Sequence, residues 1–163
     1  MIQKRDLLIL SELRKDSRKS LTDISRKTKI PVSTIFDQIR IYQGKIISKF
    51  TTIINFSLFG FNTRANIILK VDKGSREGLR DFLVKHSRVN SLYRINNGFD
   101  FMVECLFYDV KELEDFISEL ENYNTVTIKV YYIIEDIKRE AFLENLFGGA
   151  RWANLNITPI AMA

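Results

Sequence analysis

Apolar residues recur every three or four positions through residues 4–15, where Leu7, Leu8, Leu10 and Leu13 give the spacing of a helix with one buried face. The polar run Asp16-Ser17-Arg18-Lys19 breaks that rhythm. Ser20-Leu21-Thr22-Asp23 then has the form of a capping box, in which side chains satisfy the unpaired amides that open a helix. A second helix is predicted over residues 21–28, with Leu21, Ile24 and Thr28 facing inward. Lys29-Ile30-Pro31 makes the turn, and Pro31 suits a helix start because its missing N–H costs nothing there. A third helix over residues 32–43 buries Ile35 and Ile39, and Gly44 stops it. Three short helices with a three-residue turn between the last two make a helix-turn-helix.

Residues 46–55 (IISKFTTIIN) are rich in β-branched side chains and are expected to form an extended linker strand, followed by a turn through Gly60. The pattern then alternates between period two and period 3.6. A strand at residues 64–71 leads to a helix at 75–86 with Leu79, Phe82, Leu83 and His86 on one face. A strand at 89–95 reaches Asn97-Gly98, the strongest short hairpin signal in the chain. The returning strand, 99–107, sets Phe99, Phe101, Val103, Cys105 and Phe107 on one side. A helix at 109–123 is expected to point Val110, Leu113, Ile117 and Leu120 inward, and a strand at 125–134 closes the series. The order βαββαβ is the ferredoxin-like arrangement. Such a sheet carries helices on one face only. Met102 and Leu106 make its other face apolar as well, so a second copy is expected to cover it, sheet against sheet.

The fold class is therefore α+β: a winged-helix-like helix-turn-helix at residues 1–46, a linker strand at 47–62, a ferredoxin-like domain at 63–140 and a tail at 141–163. The tail's GGARWANLNITPIAMA carries one charge and no clear period.

Charge changes the picture most. Residues 1–50 hold 12 Lys/Arg against 5 Asp/Glu, net +7, while the remainder is net −2. A basic first third joined to a mildly acidic remainder points to a polyanion-binding module beside a module with another task. The 45% hydrophobic and 28% charged residues are those of a folded protein rather than a disordered one. Cys105 is the sole cysteine, which excludes an intrachain disulfide framework and a multi-cysteine zinc site. No apolar run reaches membrane-spanning length and MIQKRDLLIL lacks a signal-peptide pattern, so a cytoplasmic protein is expected. No Ser/His/Asp set, metal-ligand cluster or glycine-rich phosphate loop stands out, and no cofactor is expected.

On the third helix, Ser33, Thr34, Asp37 and Gln38 fall on the exposed arc. Gln38 has the donor–acceptor pair for adenine, and Asp37 can accept from a cytosine amine. Arg18, Lys19, Arg26, Lys27, Lys29 and Arg40 suit phosphate contacts, which supply affinity and salt dependence rather than sequence choice. The plainer alternative is a solvated helix face, with Asp37 paired to a neighbouring Lys or Arg.

The order of these features resembles the Lrp/AsnC, or feast/famine, family of transcriptional regulators, of the archaeal type. Asp6…Ile9-Leu10 and Asp16-Ser17-Arg18 match its first helix and exit, and Ile24-Ser25…Thr28 with Ser33-Thr34-Ile35…Ile39 match its DNA-binding pair. Ile46-Ile47…Phe50-Thr51…Gly60 matches the linker, and Gly98-Phe99-Asp100-Phe101 the glycine–aromatic–aspartate hairpin. The chain departs from the family at Lys29, where a glycine is usual, at Asp37-Gln38, where a basic residue is usual, and at Lys45. The resemblance implies a DNA-binding regulator of transcription that is not an enzyme. It implies a homodimer or higher assembly, up to an octamer, on a roughly palindromic double-stranded site. It also implies a small effector, typically an amino acid, at Asn97, Gly98, Phe99 and Asp100, where Asp100 would meet an ammonium and amides near Gly98 a carboxylate. Two alternatives share the architecture: a siroheme decarboxylase-like enzyme, which would have to draw on His86, Arg64, Arg88 or Arg94, and an architectural DNA binder without sequence preference.

Overall fold

The polar break at residues 16–19 and the turn at Lys29 divide the basic segment into α1 (Lys4–Lys15), α2 (Leu21–Thr28) and α3 (Val32–Tyr42). The structure is a computed structural model and describes residues 2–144; the tail sequence 148–163 lies outside them. Two compact units divide the chain, one of residues 1–52 with 137 onward and one of residues 53–136.

In the first unit each helix contributes one fully buried isoleucine, Ile9, Ile24 and Ile35, joined by Leu10 and Tyr42. Ile9, not the leucines around it, is the centre of the α1 face. Leu7 and Leu8 are half-buried at its margins, because a helical stripe is only about 100° wide. A buried carboxylate ties the ends of the unit together. Asp6 accepts from the backbone N–H of Gln3 at 2.6 Å and from the Tyr42 hydroxyl at 2.7 Å, so its burial is compensated by two hydrogen bonds. Ser20 caps α2 by accepting from the Asp23 N–H at 3.1 Å, as the sequence predicts.

Residues 140–144 return to α1. The Arg14 Nε donates to the Phe142 carbonyl at 3.2 Å, an Nη of Arg14 pairs with the Glu140 carboxylate at 2.9 Å, and the Ser11 hydroxyl donates to the Glu144 carbonyl at 3.3 Å.

The expected linker strand is a correction. Beyond an isolated bridge between Gln43 and Ile47, residues 48–55 make no ladder. β-branched residues favour extension, but a strand needs a hydrogen-bonding neighbour, and the described residues supply none. Phe50, Ile53 and Ile54 remain exposed.

In the second unit β1 (Thr63–Val71), β2 (Val89–Arg94), β3 (Phe101–Phe107) and β4 (Thr125–Tyr132) form one antiparallel sheet in the order β2-β3-β1-β4. Ile67 lies opposite Val103 on one side and Val130 on the other. Helices α4 (Arg76–Lys85) and α5 (Val110–Glu121) cover the face made by Ala65, Ile67, Leu69, Val71, Phe101, Val103, Cys105 and Phe107. This is the predicted βαββαβ order, with the two-residue alternation clean on β1 and β3 and broken on β2 and β4. Two positions on α5 differ from expectation: Val110 is exposed, and Phe116 is buried in its place. Val110 is the first residue of the helix, ahead of the turn that meets the sheet. Phe116 reaches Phe107 and Phe82, whose ring centroids lie 5.5 and 6.2 Å away.

Candidate nucleic-acid interface and effector loop

α3 packs Ile35 and Tyr42 into the core and half-buries Ile39, so its opposite side is fixed by helical spacing. That side is the ridge Ser33, Phe36, Asp37 and Arg40, all exposed. Thr34 and Gln38, read in the sequence as part of the exposed arc, are half-buried on the flank of the helix. Phe36 was absent from the polar set read in the sequence, because apolar residues at helical spacing are ordinarily assigned to a core. No signal in the sequence sets it apart. Asp37 makes no ion pair among the described residues, nor does Arg40.

The predicted phosphate contacts separate into two groups. Arg18, Lys29 and Arg40 are exposed and unpaired among the described residues. Arg26 is exposed but pairs with Asp23 at 2.9 Å. Lys27 approaches Glu12 at 3.5 Å, and Lys19, only 15% exposed, is bonded directly to that same carboxylate. Lys15 joins them at 2.9 Å. Lys19 is therefore a structural cation: the hydrogen bond it donates to Glu12 raises its affinity for its proton. Sequence alone could not show this, because Glu12 and Lys19 lie on opposite sides of a helix break.

The turn between α2 and α3 is held by Lys29 in the left-handed region, φ 62° and ψ 22°. Its N–H closes on the Ser25 carbonyl at 2.8 Å. A side chain with a Cβ is strained there by about 1 kcal/mol relative to glycine. Lys29→Gly is accordingly expected to raise the stability of the helix-turn-helix by about 1 kcal/mol, read as a higher melting temperature. The same change removes an exposed cation, so DNA affinity should fall, with a shallower dependence on salt. An unchanged melting temperature would show that the αL strain is relieved elsewhere.

In the second unit Asn97 and Gly98 both take positive φ, 60° and 86°, the signature of the tight hairpin that Asn-Gly predicts. Both are exposed, and among the described residues no acceptor meets the Gly98 amide. Phe99 is half-buried, with the Lys129 ammonium 5.0 Å from its ring centre. Asp100 differs from its expected role. One oxygen pairs with Arg76 at 2.5 Å and the other accepts from the Val71 N–H at 3.0 Å, while its own N–H donates to the Leu69 carbonyl at 2.8 Å. Its carboxylate is committed to anchoring the loop to β1 and α4 instead of standing open to a ligand's ammonium.

His86 caps the end of α4 between the rings of Phe82 and Phe116, with centroids 5.1 and 4.7 Å away. Its Nδ1 accepts from the Arg88 N–H at 3.3 Å, and its Nε2 lies 3.4 Å from Glu119. Burial pushes the Cys105 thiol up to about 12, which keeps it protonated and unreactive. Among the described residues no group of His, Cys, Asp or Glu side chains is arranged to hold a metal ion, and no helix is long and apolar enough to cross a membrane.

Comparison with known proteins bears on both units. Residues 2–41 match a winged helix-turn-helix DNA-binding family, and residues 64–141 match the Lrp/AsnC ligand binding domain. The HTH-type transcriptional regulator FL11 of Pyrococcus furiosus is 31% identical over 114 residues, 69% of this chain and 76% of that protein. Among solved structures, Bacillus subtilis LrpC has a TM-score of 0.77 at 22% identity, covering 85% of this chain and 98% of that one. A transcriptional regulator of Neisseria meningitidis in complex with L-methionine has a TM-score of 0.78 at 17% identity, covering 85% and 94%.

Proposed function

From the premise that this chain belongs to the Lrp/AsnC family of transcriptional regulators, we propose that α3 reads double-stranded DNA in the major groove and that a small effector, such as an amino acid, tunes that binding from the Asn97–Asp100 loop. The observation that carries it is the front of α3. Ser33, Asp37 and Arg40 point away from the core and are left without internal ion pairs, on the most basic part of the chain. Side chains in the first turns of such a helix meet base edges. Asp37 is suited to a cytosine amine and Gln38, from the flank, to adenine. Arg18, Lys29 and Arg40 take the phosphates, with Arg26 and Lys27 joining at the cost of weaker internal pairs.

DNA binding is assigned to residues 1–46 and effector binding to 63–140, with 47–62 between them. Assembly as a homodimer or larger is supported by two apolar surfaces among the described residues, the first of them only half-buried. These are the sheet face of Met102 and Leu106 and the exposed apolar linker residues Phe50, Ile53 and Ile54. The effector is supported by the open backbone at Asn97 and Gly98 and by the L-methionine complex of the Neisseria regulator. Asp100 enters this scheme as the residue that positions the loop. Regulation in the cytoplasm, not catalysis, is the function assigned: His86, the sole histidine, is occupied by ring packing and by its neighbours.

Selection of bound sites from a random DNA pool at fixed salt tests the assignment. An enriched palindrome, bound far more tightly than its half-site, is the expected result. Salt-sensitive binding with no enriched motif would instead make the protein an architectural DNA binder. Calorimetry against the twenty amino acids at millimolar concentration tests the effector, and absence of heat from all of them would remove it.

A further inference from the structure

Among the side chains on the front of α3, Phe36 serves neither the core nor the polar contacts assigned above. It is 51% exposed, while Ile35 beside it is fully buried. It stands on the ridge three residues after Ser33, one before Asp37 and four before Arg40, and Val32, one turn earlier and 42% exposed, extends it into a short apolar strip. We propose that Phe36 is a specificity-determining residue that packs against the C5 methyl group of thymine. The proposal rests on the DNA-reading role of α3.

Three observations select that occupant. The strip lies within a stretch of net charge +7, so its partner is a polyanion, not another basic surface. Arg40, one turn further on, is exposed and unpaired, in place to hold a phosphate beside the base that Phe36 meets. The thymine methyl is the one sizeable apolar group on the major-groove edge of a base pair, whose other features are chiefly donors and acceptors. An aromatic ring gains by covering that methyl and gains nothing over a cytosine or guanine edge. Phe36 therefore adds a preference for A·T pairs that Ser33, Asp37 and Gln38 cannot supply by hydrogen bonding alone.

The test uses a duplex selected by the full-length protein and the same duplex with uracil in place of thymine, which removes the methyl groups and keeps every hydrogen-bonding atom. The wild-type protein is expected to bind the uracil duplex about fourfold more weakly for each methyl that Phe36 covers. Phe36→Ala is expected to bind the thymine duplex more weakly and to lose the discrimination. Phe36→Leu, a smaller apolar side chain, should fall between them. Changes in DNA shape caused by uracil affect all three proteins equally and cancel in the comparison.

Equal wild-type affinity for the two duplexes would overturn the proposal, and so would undiminished discrimination by Phe36→Ala. A change in the mass of the protein in solution on making Phe36→Ala would also overturn it, by assigning Phe36 to a contact between proteins. Failure of the wild type to bind any selected duplex would instead remove the DNA-reading role itself.

Discussion

Replacing Asp100 with alanine is expected to destabilise the second unit by about 3 kcal/mol, because it strands two groups at once. The Arg76 guanidinium loses its carboxylate, and the Val71 N–H loses its acceptor. Arg76 has little reserve, since its Nε is already buried without a hydrogen-bond partner among the described residues. Asp100→Asn keeps an oxygen for the Val71 N–H but turns an amide NH2 toward Arg76 in place of the second oxygen, so it gives up the ion pair while keeping the backbone contact and should cost roughly half as much. Thermal unfolding of the two variants beside wild type measures this. If Asp100 positions the effector loop, Asp100→Asn retains effector binding in proportion to its retained stability. If Asp100 held a ligand's ammonium directly, Asp100→Asn would lose the effector far beyond what its loss of stability explains.

The second large effect lies at Glu12. Burial by itself raises the affinity of this carboxyl for a proton, but hydrogen bonds from Lys19 and Lys15 outweigh it and hold the group at about 2, below its ordinary 4.5. The folded-state value is the lower one, so the unfolded chain takes up the proton first as pH falls. The stabilisation is whole above about pH 4.5 and is lost as pH drops toward 2. Lys15 and Lys27 are partly exposed and screened, which brings the contribution to about 2 kcal/mol. Glu12→Gln is expected to lower the melting temperature of the helix-turn-helix at neutral pH, and the gap from wild type should close near pH 2. A gap of the same size at pH 7 and pH 2.5 would show that Glu12 acts by shape and not by charge. The same variant releases Lys19 and Lys27, so any DNA binding should become more salt-dependent as the protein becomes less stable.

Much of the fold could be read along the chain. Ser20, Pro31 and Gly44 bound the helices because capping and helix termination are local events, decided within a few residues. The two-residue alternation through Phe101, Val103, Cys105 and Phe107 set the buried face of β3 for the same reason. Asn97-Gly98 identified the hairpin because few other residues accept positive φ twice in succession.

The misreadings share a cause. Residues 46–55 looked like a strand, but pairing requires a neighbour, and propensity does not provide one. Val110 and Phe116 exchanged roles because the boundary of an apolar stripe depends on where the helix meets its sheet. Lys19 and Asp100 were read as charges open to a ligand and proved to be engaged with Glu12 and with Arg76. Ion pairs between residues distant in sequence leave no periodic trace. Phe36 has no signal in the sequence, because an apolar residue's exposure is decided by how its helix is seated.

The order of elements, the helix-turn-helix and the ferredoxin-like domain were determined by the sequence itself, since each follows from turn chemistry and hydrophobic period acting over a few residues. Which charges remain available was decided only by tertiary structure. Packing α1 against α2 brings Glu12 to Lys19 and Lys27 and takes those cations partly out of use, while Arg18, Lys29 and Arg40 stay open. The polar arc of α3 was rotated in the same way: seating Ile35 and Tyr42 turns Thr34 and Gln38 to the flank and leaves Phe36 exposed. A charge or a ring can serve a partner only after the fold's own demands on it are met, and those demands come from residues far away in the chain.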